Sequence, residues 1–136
     1  MHTKQTLLLL LFAVLLLPGC KEKAADEGLS AAPPDTVALN YYNLRAAGRY
    51  ADYVSAMASC DKATPAYRAH IEKMLRHHTA LVQREKGGVS RVEVLRTELH
   101  SGDSLAHVYL SVIYNDSTRE EVLFPLVHDG QRWRIQ

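Results

Sequence analysis

The sequence is poor in cysteine, in excess charge of one sign and in long apolar runs. Its 136 residues include two cysteines, Cys20 and Cys60, with no Cys-x-x-Cys pair, which excludes a zinc centre held by clustered thiolates. The 16 basic and 15 acidic residues nearly balance, so a general attraction to nucleic acid is not expected, and nothing in the sequence resembles a nucleic-acid-binding module. The longest apolar run, Leu7–Leu17, would form a helix of about 17 Å. Because a bilayer core is roughly 30 Å thick, this run is too short for a permanent membrane span.

The amino terminus instead has the composition of an export signal. Lys4 precedes the apolar run, and the tetrapeptide LPGC, residues 17–20, ends it, an order typical of a signal peptide. The tetrapeptide resembles the lipobox of bacterial lipoproteins. This resemblance implies cleavage between Gly19 and Cys20, a diacylglyceryl group on the Cys20 thiol, and acylation of the new amino terminus. Two alternatives stay open, a chance cysteine after an ordinary signal peptide and a Cys20–Cys60 disulfide.

The segment after the cysteine is too polar to fold by itself. Lys21–Pro34 (KEKAADEGLSAAPP) has almost no large apolar side chain, and such composition favours a flexible chain. A coil of 14 residues would hold a domain on the order of 20 Å from a membrane surface. Lys21 is not the aspartate that resembles an inner-membrane retention signal, so the outer membrane is the expected location. Glu22, Asp26 and Glu27 resemble an acidic surface-export tag interrupted by Lys23, which keeps surface display as an alternative.

Apolar residues at helical spacing predict three helices in the first half of the remaining chain. Asp35 or Thr36 is expected to cap the first helix, which ends at Gly48. A short second helix follows over residues 50–57, and Pro65 opens a third that ends at two glycines. The third helix carries one continuous apolar stripe: Tyr67, Ile71, Met74, Leu75, His78, Leu81 and Val82.

After Gly88 the apolar period changes to two, which predicts strands. The apolar phase switches between Val94 and Leu95, a pattern that indicates a bulge or a bend. Pro125 donates no ladder hydrogen bond, so it favours an edge position or a bulge, and Asp129-Gly130 favours a tight hairpin. The predicted strands are Val89–His100, Leu105–Tyr114, Glu120–His128 and Gln131–Gln136.

This order of elements predicts an α+β domain over residues 35–136, in which helices cover an antiparallel four-stranded sheet. The residues before it divide into a signal peptide, 1–19, and a lipidated cysteine with its flexible tether, 20–34. Strand faces that are apolar on both sides, as at Leu123, Phe124, Leu126 and Val127, need a second cover. Either the helix layer and chain ends provide it, or a second copy does, as a homodimer through the sheet.

The sequence also resembles a known superfamily. VALNYYNLRAAGRYADYV, a helix broken by a small turn, and the final hairpin VLFPLVHDGQRWRI are similar to small bacterial lipoproteins of the nuclear transport factor 2-like (cystatin-like) superfamily. The resemblance covers residues 35–136 and implies a curved sheet wrapped around a long helix, forming a cone open at one end. The subgroup has no assigned activity, and the superfamily includes isomerases, dehydratases, hydrolases and binding modules, so the fold alone assigns none.

Four side chains are candidates for a pocket in the cone. His78 lies within the apolar stripe of the third helix, and Tyr41, Tyr109 or Tyr114 could join it there as an acid–base group. The alternative is a core histidine that is hydrogen-bonded to a tyrosine and a carbonyl. No catalytic residue is assigned, because the inward-facing positions of the predicted strands show no aspartate or glutamate between apolar neighbours.

No metal and no cofactor are expected. His70 and His77 are two helical turns apart, roughly 10 Å, and cannot share one ion, while His77 and His78 diverge around the helix. A metal site would need a strand histidine such as His107 or His128.

The leading functional hypothesis is a lipid-anchored protein of the bacterial cell envelope, held in the membrane through lipid on Cys20. Its cone-shaped domain would bind a small ligand or a protein partner without chemistry. One alternative is an envelope enzyme that uses His78 and a tyrosine in the cone. A second is an assembly subunit that uses the outer face of the sheet.

Overall fold

The computed structural model describes residues 32–136, which form three α-helices followed by a four-stranded antiparallel sheet. This order confirms the predicted α+β class. The signal peptide 1–19, the cleavage and lipidation predicted at Gly19 and Cys20, and most of the 20–34 tether lie outside the described residues. Within residues 32–136, none of the helices has both the length and the apolar character that crossing a membrane requires.

The helices begin and end at residues with the expected local chemistry. The first helix starts at Pro34, ahead of the predicted caps Asp35 and Thr36, because proline fits the first helical position, where its missing N–H is not needed. Asp35 therefore lies in the first turn, where its charge suits the helix dipole. The helices are α1 (Pro34–Ala46), α2 (Tyr50–Ala56) and α3 (Pro65–Lys86), with a 3-10 turn at Ala58–Cys60.

The sheet is a meander in the order β1-β2-β3-β4. Its register shifts between Val94 and Arg96, which confirms the bulge predicted from the phase switch at Leu95. Pro125 lies inside β3 and is paired with His107 of β2. Its carbonyl points away from β2 and accepts a hydrogen bond from the N–H of Gln136, the residue after β4. Its missing N–H therefore removes no bond to β2. The strands are β1 (Val89–His100), β2 (Leu105–Tyr114), β3 (Arg119–His128) and β4 (Trp133–Ile135).

The core lies between α1 and the inner face of the sheet, defined here as the face that carries Val108. The Tyr41 hydroxyl donates to the Trp133 carbonyl at 3.0 Å, and the Tyr53 ring of α2 meets Phe124 edge-on, with centroids 6.4 Å apart. The central core residues are Val37, Ala38 and Tyr41 of α1, Tyr53 and Ala56 of α2, and Ala106, Val108, Leu110, Phe124, Leu126, Trp133 and Ile135 of the sheet.

The long helix α3 is not the central helix that the resemblance implies. Thr64 Oγ1 caps it by accepting from the Tyr67 N–H at 3.2 Å, yet none of its 22 residues is buried. Tyr67 and Met74 of its apolar stripe are 53% and 55% exposed. α3 packs against α2 and the start of β1, because α1 already occupies the centre of the sheet.

An ion pair joins the helical layer to the last strand. Arg134 of β4 donates two hydrogen bonds to Asp61, at 2.6 and 2.7 Å, and a third to the Ser55 carbonyl at 3.1 Å. These bonds from Arg134 hold the pKa of the Asp61 carboxyl below its usual range. Arg134 is buried between the inward-facing Trp133 and Ile135 because it has these partners.

Candidate ligand site

A cavity of about 260 Å³ lies where the end of α1, the second half of α3 and the start of β1 meet. This volume is slightly below the usual range for ligand pockets, so it suits a small molecule. Its polar lining includes Tyr42, Asn43, Arg45, His78, Gln83 and Asn115.

The turn between α3 and β1 fixes one wall of this cavity. Gly87 ends α3 with φ of 74°, a left-handed conformation that glycine adopts without strain. Asn115, after β2, donates from Nδ2 to the Gly87 carbonyl at 2.6 Å and from its backbone N–H to the Gly88 carbonyl at 2.9 Å. The start of β1 is thereby held against the end of α3.

Arg45 and His78 form the central polar contact of the lining, with Arg45 Nη2 at 2.8 Å from His78 Nδ1. A guanidinium can only donate, so Nδ1 accepts and the proton of a neutral ring lies on Nε2. Burial, together with the Arg45 charge, lowers the pKa of His78, so the ring is neutral at pH 7. The pair thus offers N–H donors and a positive charge to whatever occupies the cavity.

A second polar group lies beside this pair on the inner face of the sheet. The Tyr114 hydroxyl donates to Glu120 Oε2 at 2.6 Å, and Lys86 Nζ lies 3.8 Å from the same oxygen and 4.1 Å from the centre of the Tyr114 ring. Burial, and then this hydrogen bond, raise the pKa of Tyr114 far above its usual value. The Glu120 charge also acts on the pKa of His78, in the raising direction, but burial and the Arg45 charge outweigh it.

The fold of this domain is similar to that of a known protein structure. No family model matches the chain, and no curated protein matches it. A crystal structure from Campylobacter jejuni, described as an NTF2-like (nuclear transport factor 2-like) transpeptidase, is similar in structure with a TM-score of 0.64 and 15% sequence identity. The match covers 76% of this chain and 97% of the other. The described domain has an NTF2-like fold. The comparison therefore confirms the NTF2-like fold class that the sequence resemblance implied, although α1 and not the long helix α3 lies at the centre of the sheet.

The NTF2-like domain brings together only part of the predicted pocket. His78 lines the cavity, and Tyr114 lies in the adjacent group with Glu120. Tyr41 instead points into the core, where it contacts the Trp133 carbonyl. Tyr109 lies on the opposite face of the sheet, because side chains alternate along β2, and its hydroxyl donates to Glu98 at 3.3 Å.

Two important residues of this region are absent from the predicted set. Glu120 lies on the inner face, in phase with Val122, Phe124 and Leu126, so the alternation of β3 carries a signal for it. Glu120 is exposed and stands between Arg119 and Glu121, so it is not the acid between apolar neighbours that was sought from the sequence. The sequence carries no comparable signal for Arg45. A basic residue in the last turn of a helix is common, because its charge interacts favourably with the helix dipole.

The cavity is suited to bind an anion. His78 is the one histidine, cysteine or acidic residue among the described lining residues, whereas amide, hydroxyl and guanidinium donors surround it. Arg45 has no carboxylate at ion-pair distance within residues 32–136, unlike Arg49, which pairs with Asp52 at 2.8 Å. An unpaired guanidinium beside a neutral imidazole favours a carboxylate or another small anion.

Proposed function

We propose that this chain is a lipid-anchored protein of the bacterial cell envelope whose NTF2-like domain binds a small organic anion in the α1–α3–β1 cavity. Arg45 supplies charge and hydrogen bonds, and His78 adds a donor from Nε2. The 2.8 Å contact between Arg45 and His78 at the cavity wall carries this proposal, because it orients both groups before a ligand arrives.

The location rests on the sequence. The charged and apolar segments before residue 17, the LPGC tetrapeptide and the polar segment 21–34 support an outer-membrane lipoprotein tethered through Cys20. The cavity would then operate outside the cytoplasm, on small molecules of the envelope.

Native mass spectrometry of the protein extracted from its own membrane tests both parts. We expect a mature chain that begins at Cys20, carries acyl chains and retains a small anionic molecule. A chain that still begins at Met1, or a Cys20–Cys60 disulfide, would contradict the anchor. A wild-type chain that never carries or binds a small anion would contradict the ligand site.

A matched pair of variants locates the ligand. Arg45→Gln removes the unpaired charge, and we expect the affinity for the retained molecule to fall roughly 10- to 100-fold, the usual effect of losing a charge-assisted hydrogen bond. Arg49→Gln removes the same charge from an arginine that is already paired with Asp52 and does not line this cavity, and it should leave binding unchanged. Equal binding by the two variants would place the ligand elsewhere.

A second candidate function is an acid–base enzyme of the envelope. The observation that favours it is the polar pair Tyr114–Glu120 next to His78, which supplies an acid and a base in one region. In an enzyme, His78→Gln would abolish turnover of the retained molecule and leave its binding largely intact. In a binding module, wild type and His78→Gln would both return that molecule chemically unchanged.

A further inference from the structure

The outer face of the sheet, opposite the helices, holds a group of metal-ligating side chains near the β1–β2 turn. Glu98 of β1 lies directly across from His107 of β2, and His100 is two residues further along β1. One potential ligand atom from each of the three lies within 4.8 Å of the others. The two imidazole rings are 4.7 Å apart between centroids and tilted by 57°.

The chemistry of this set matches a particular class of ion. Two imidazoles and one carboxylate form a common three-ligand set for zinc, which takes nitrogen and oxygen ligands at about 2.0–2.2 Å. Imidazole ligands favour Zn²⁺ and similar transition ions over Mg²⁺ and Ca²⁺, which prefer oxygen. Ligand atoms around a tetrahedral zinc ion are roughly 3.4 Å apart, so rotation of these side chains would need to close a gap of up to about 1.4 Å.

Neighbouring side chains hold the carboxylate in place. Arg96 Nε donates to Glu98 Oε1 at 3.3 Å, and the Tyr109 hydroxyl donates to Oε2 at 3.3 Å. The Arg96 guanidinium also lies 3.5 Å above the centre of the Tyr109 ring and bonds Glu121 at 3.2 Å. Such outer partners orient metal ligands in known sites, and here Glu121 offsets the Arg96 charge.

We propose that Glu98, His100 and His107 form a zinc-binding site on the outer face of the sheet. His100 Nε2 already lies 3.8 Å from Glu98 Oε2, so this oxygen and the two imidazoles supply three ligands. Since all three side chains face solvent or lie near it, water completes the coordination at a fourth position, which an external ligand can take. This site is independent of the anion-binding cavity on the other side of the sheet.

Isothermal titration calorimetry of the full chain with zinc chloride tests the site. We expect a saturable site in the wild type and at least a 100-fold loss of zinc affinity in His107→Ala. His77→Ala is the matched control, because His77 is an exposed histidine of α3 far from this face, and it should bind zinc as the wild type does. Tyr109→Phe keeps all three ligands and should weaken binding by about 10-fold through loss of the hydrogen bond to Glu98.

Two further measurements separate the loss of a zinc ligand from a general loss of folding. Glu98→Gln and His100→Gln test the same site by conservative changes, and thermal unfolding without zinc should show that each variant folds as the wild type does. Visible absorption of the cobalt-substituted chain should show imidazole-coordinated tetrahedral cobalt in the wild type and His77→Ala only. Lack of saturable zinc binding in the wild type, or equal zinc affinity in His107→Ala and His77→Ala, would overturn the proposal.

Discussion

The helix α3 is longer than α1 but less buried. α1 has 13 residues and places Val37 and Ala38 in the core with no exposure at all. α3 has 22 residues and the more regular apolar stripe, yet it buries none of them fully. An apolar stripe therefore indicates which face of a helix turns inward, whereas the partners available to that face decide how deeply it is buried.

This contrast matters for the candidate ligand site, because the cavity lies between the two helices. Arg45 belongs to the end of the deeply packed α1, and His78 belongs to the half-exposed α3. Elements with few buried apolar contacts open at low free-energy cost, and ligand sites often include such elements. We therefore expect the α1 side of the cavity to stay fixed and the α3 side to move when a ligand binds.

The largest expected effect comes from the core that α1 covers. Leu126 is fully buried, so Leu126→Ala should lower the free energy of unfolding by about 3 kcal/mol. Leu75 of α3 is only partly buried, so Leu75→Ala should cost about 1 kcal/mol. Urea denaturation measures both values. Equal losses would mean that α3 is packed as deeply as α1, and the contrast would be wrong.

The cap of α3 should have a local effect of about 1 kcal/mol. Thr64→Ala removes the acceptor of the Tyr67 N–H, so amides in the first turn of α3 should exchange faster with solvent while those of α1 do not change. Hydrogen exchange followed by NMR measures this. Thr36→Ala is the control, because Thr36 caps no backbone group of α1. Faster exchange throughout the chain in Thr64→Ala would show that α3 is coupled to the core.

The Asp61–Arg134 pair should contribute to stability in a pH-dependent way. The pKa of Asp61 is lowered in the folded state, so its contribution is complete above the unfolded pKa of about 4 and is lost as the pH falls through the folded value. Asp61→Asn should therefore be less stable than the wild type at pH 7, and this difference should shrink below about pH 4. Denaturation midpoints across this pH range measure it. A difference that does not vary with pH would exclude the ion pair as its cause.

The smallest expected effect is on the exposed side of α3. Met74 is 55% exposed, so Met74→Gln should change the free energy of unfolding by no more than about 0.5 kcal/mol and leave the oligomeric state as in the wild type. Leu123→Gln, on the outer sheet face at 47% exposure, is the corresponding test of a homodimer through the sheet. Analytical ultracentrifugation distinguishes the two surfaces. A shift toward monomer in Met74→Gln would mean that a second copy covers α3.

Much of the fold could be predicted from local signals. The alternation along β2, the glycines after α3 and the phase switch at Leu95 each have one physical cause that acts within a few residues. Which helix packs on the centre of the sheet could not be predicted in this way, because it depends on contacts between residues that are far apart in the sequence. The same limit applies to the candidate site, since Arg45 and His78 are 33 residues apart and meet only through the packing of α3 against α1.

The bulge at Leu95 has a consequence for how this sheet could change its chemistry. Before the bulge, Val92 and Val94 share the inner face with Val112 and Leu110, and after it Arg96, Glu98 and His100 project to the other side. If Leu95 were taken into the ladder instead, the pairing of the following residues would shift by one, so that a guanidinium, a carboxylate and an imidazole would point at the helices. The unpaired residue therefore keeps the second half of β1 on its present faces, and deletion of Leu95 would remove the bulge without turning any of these side chains to the other side.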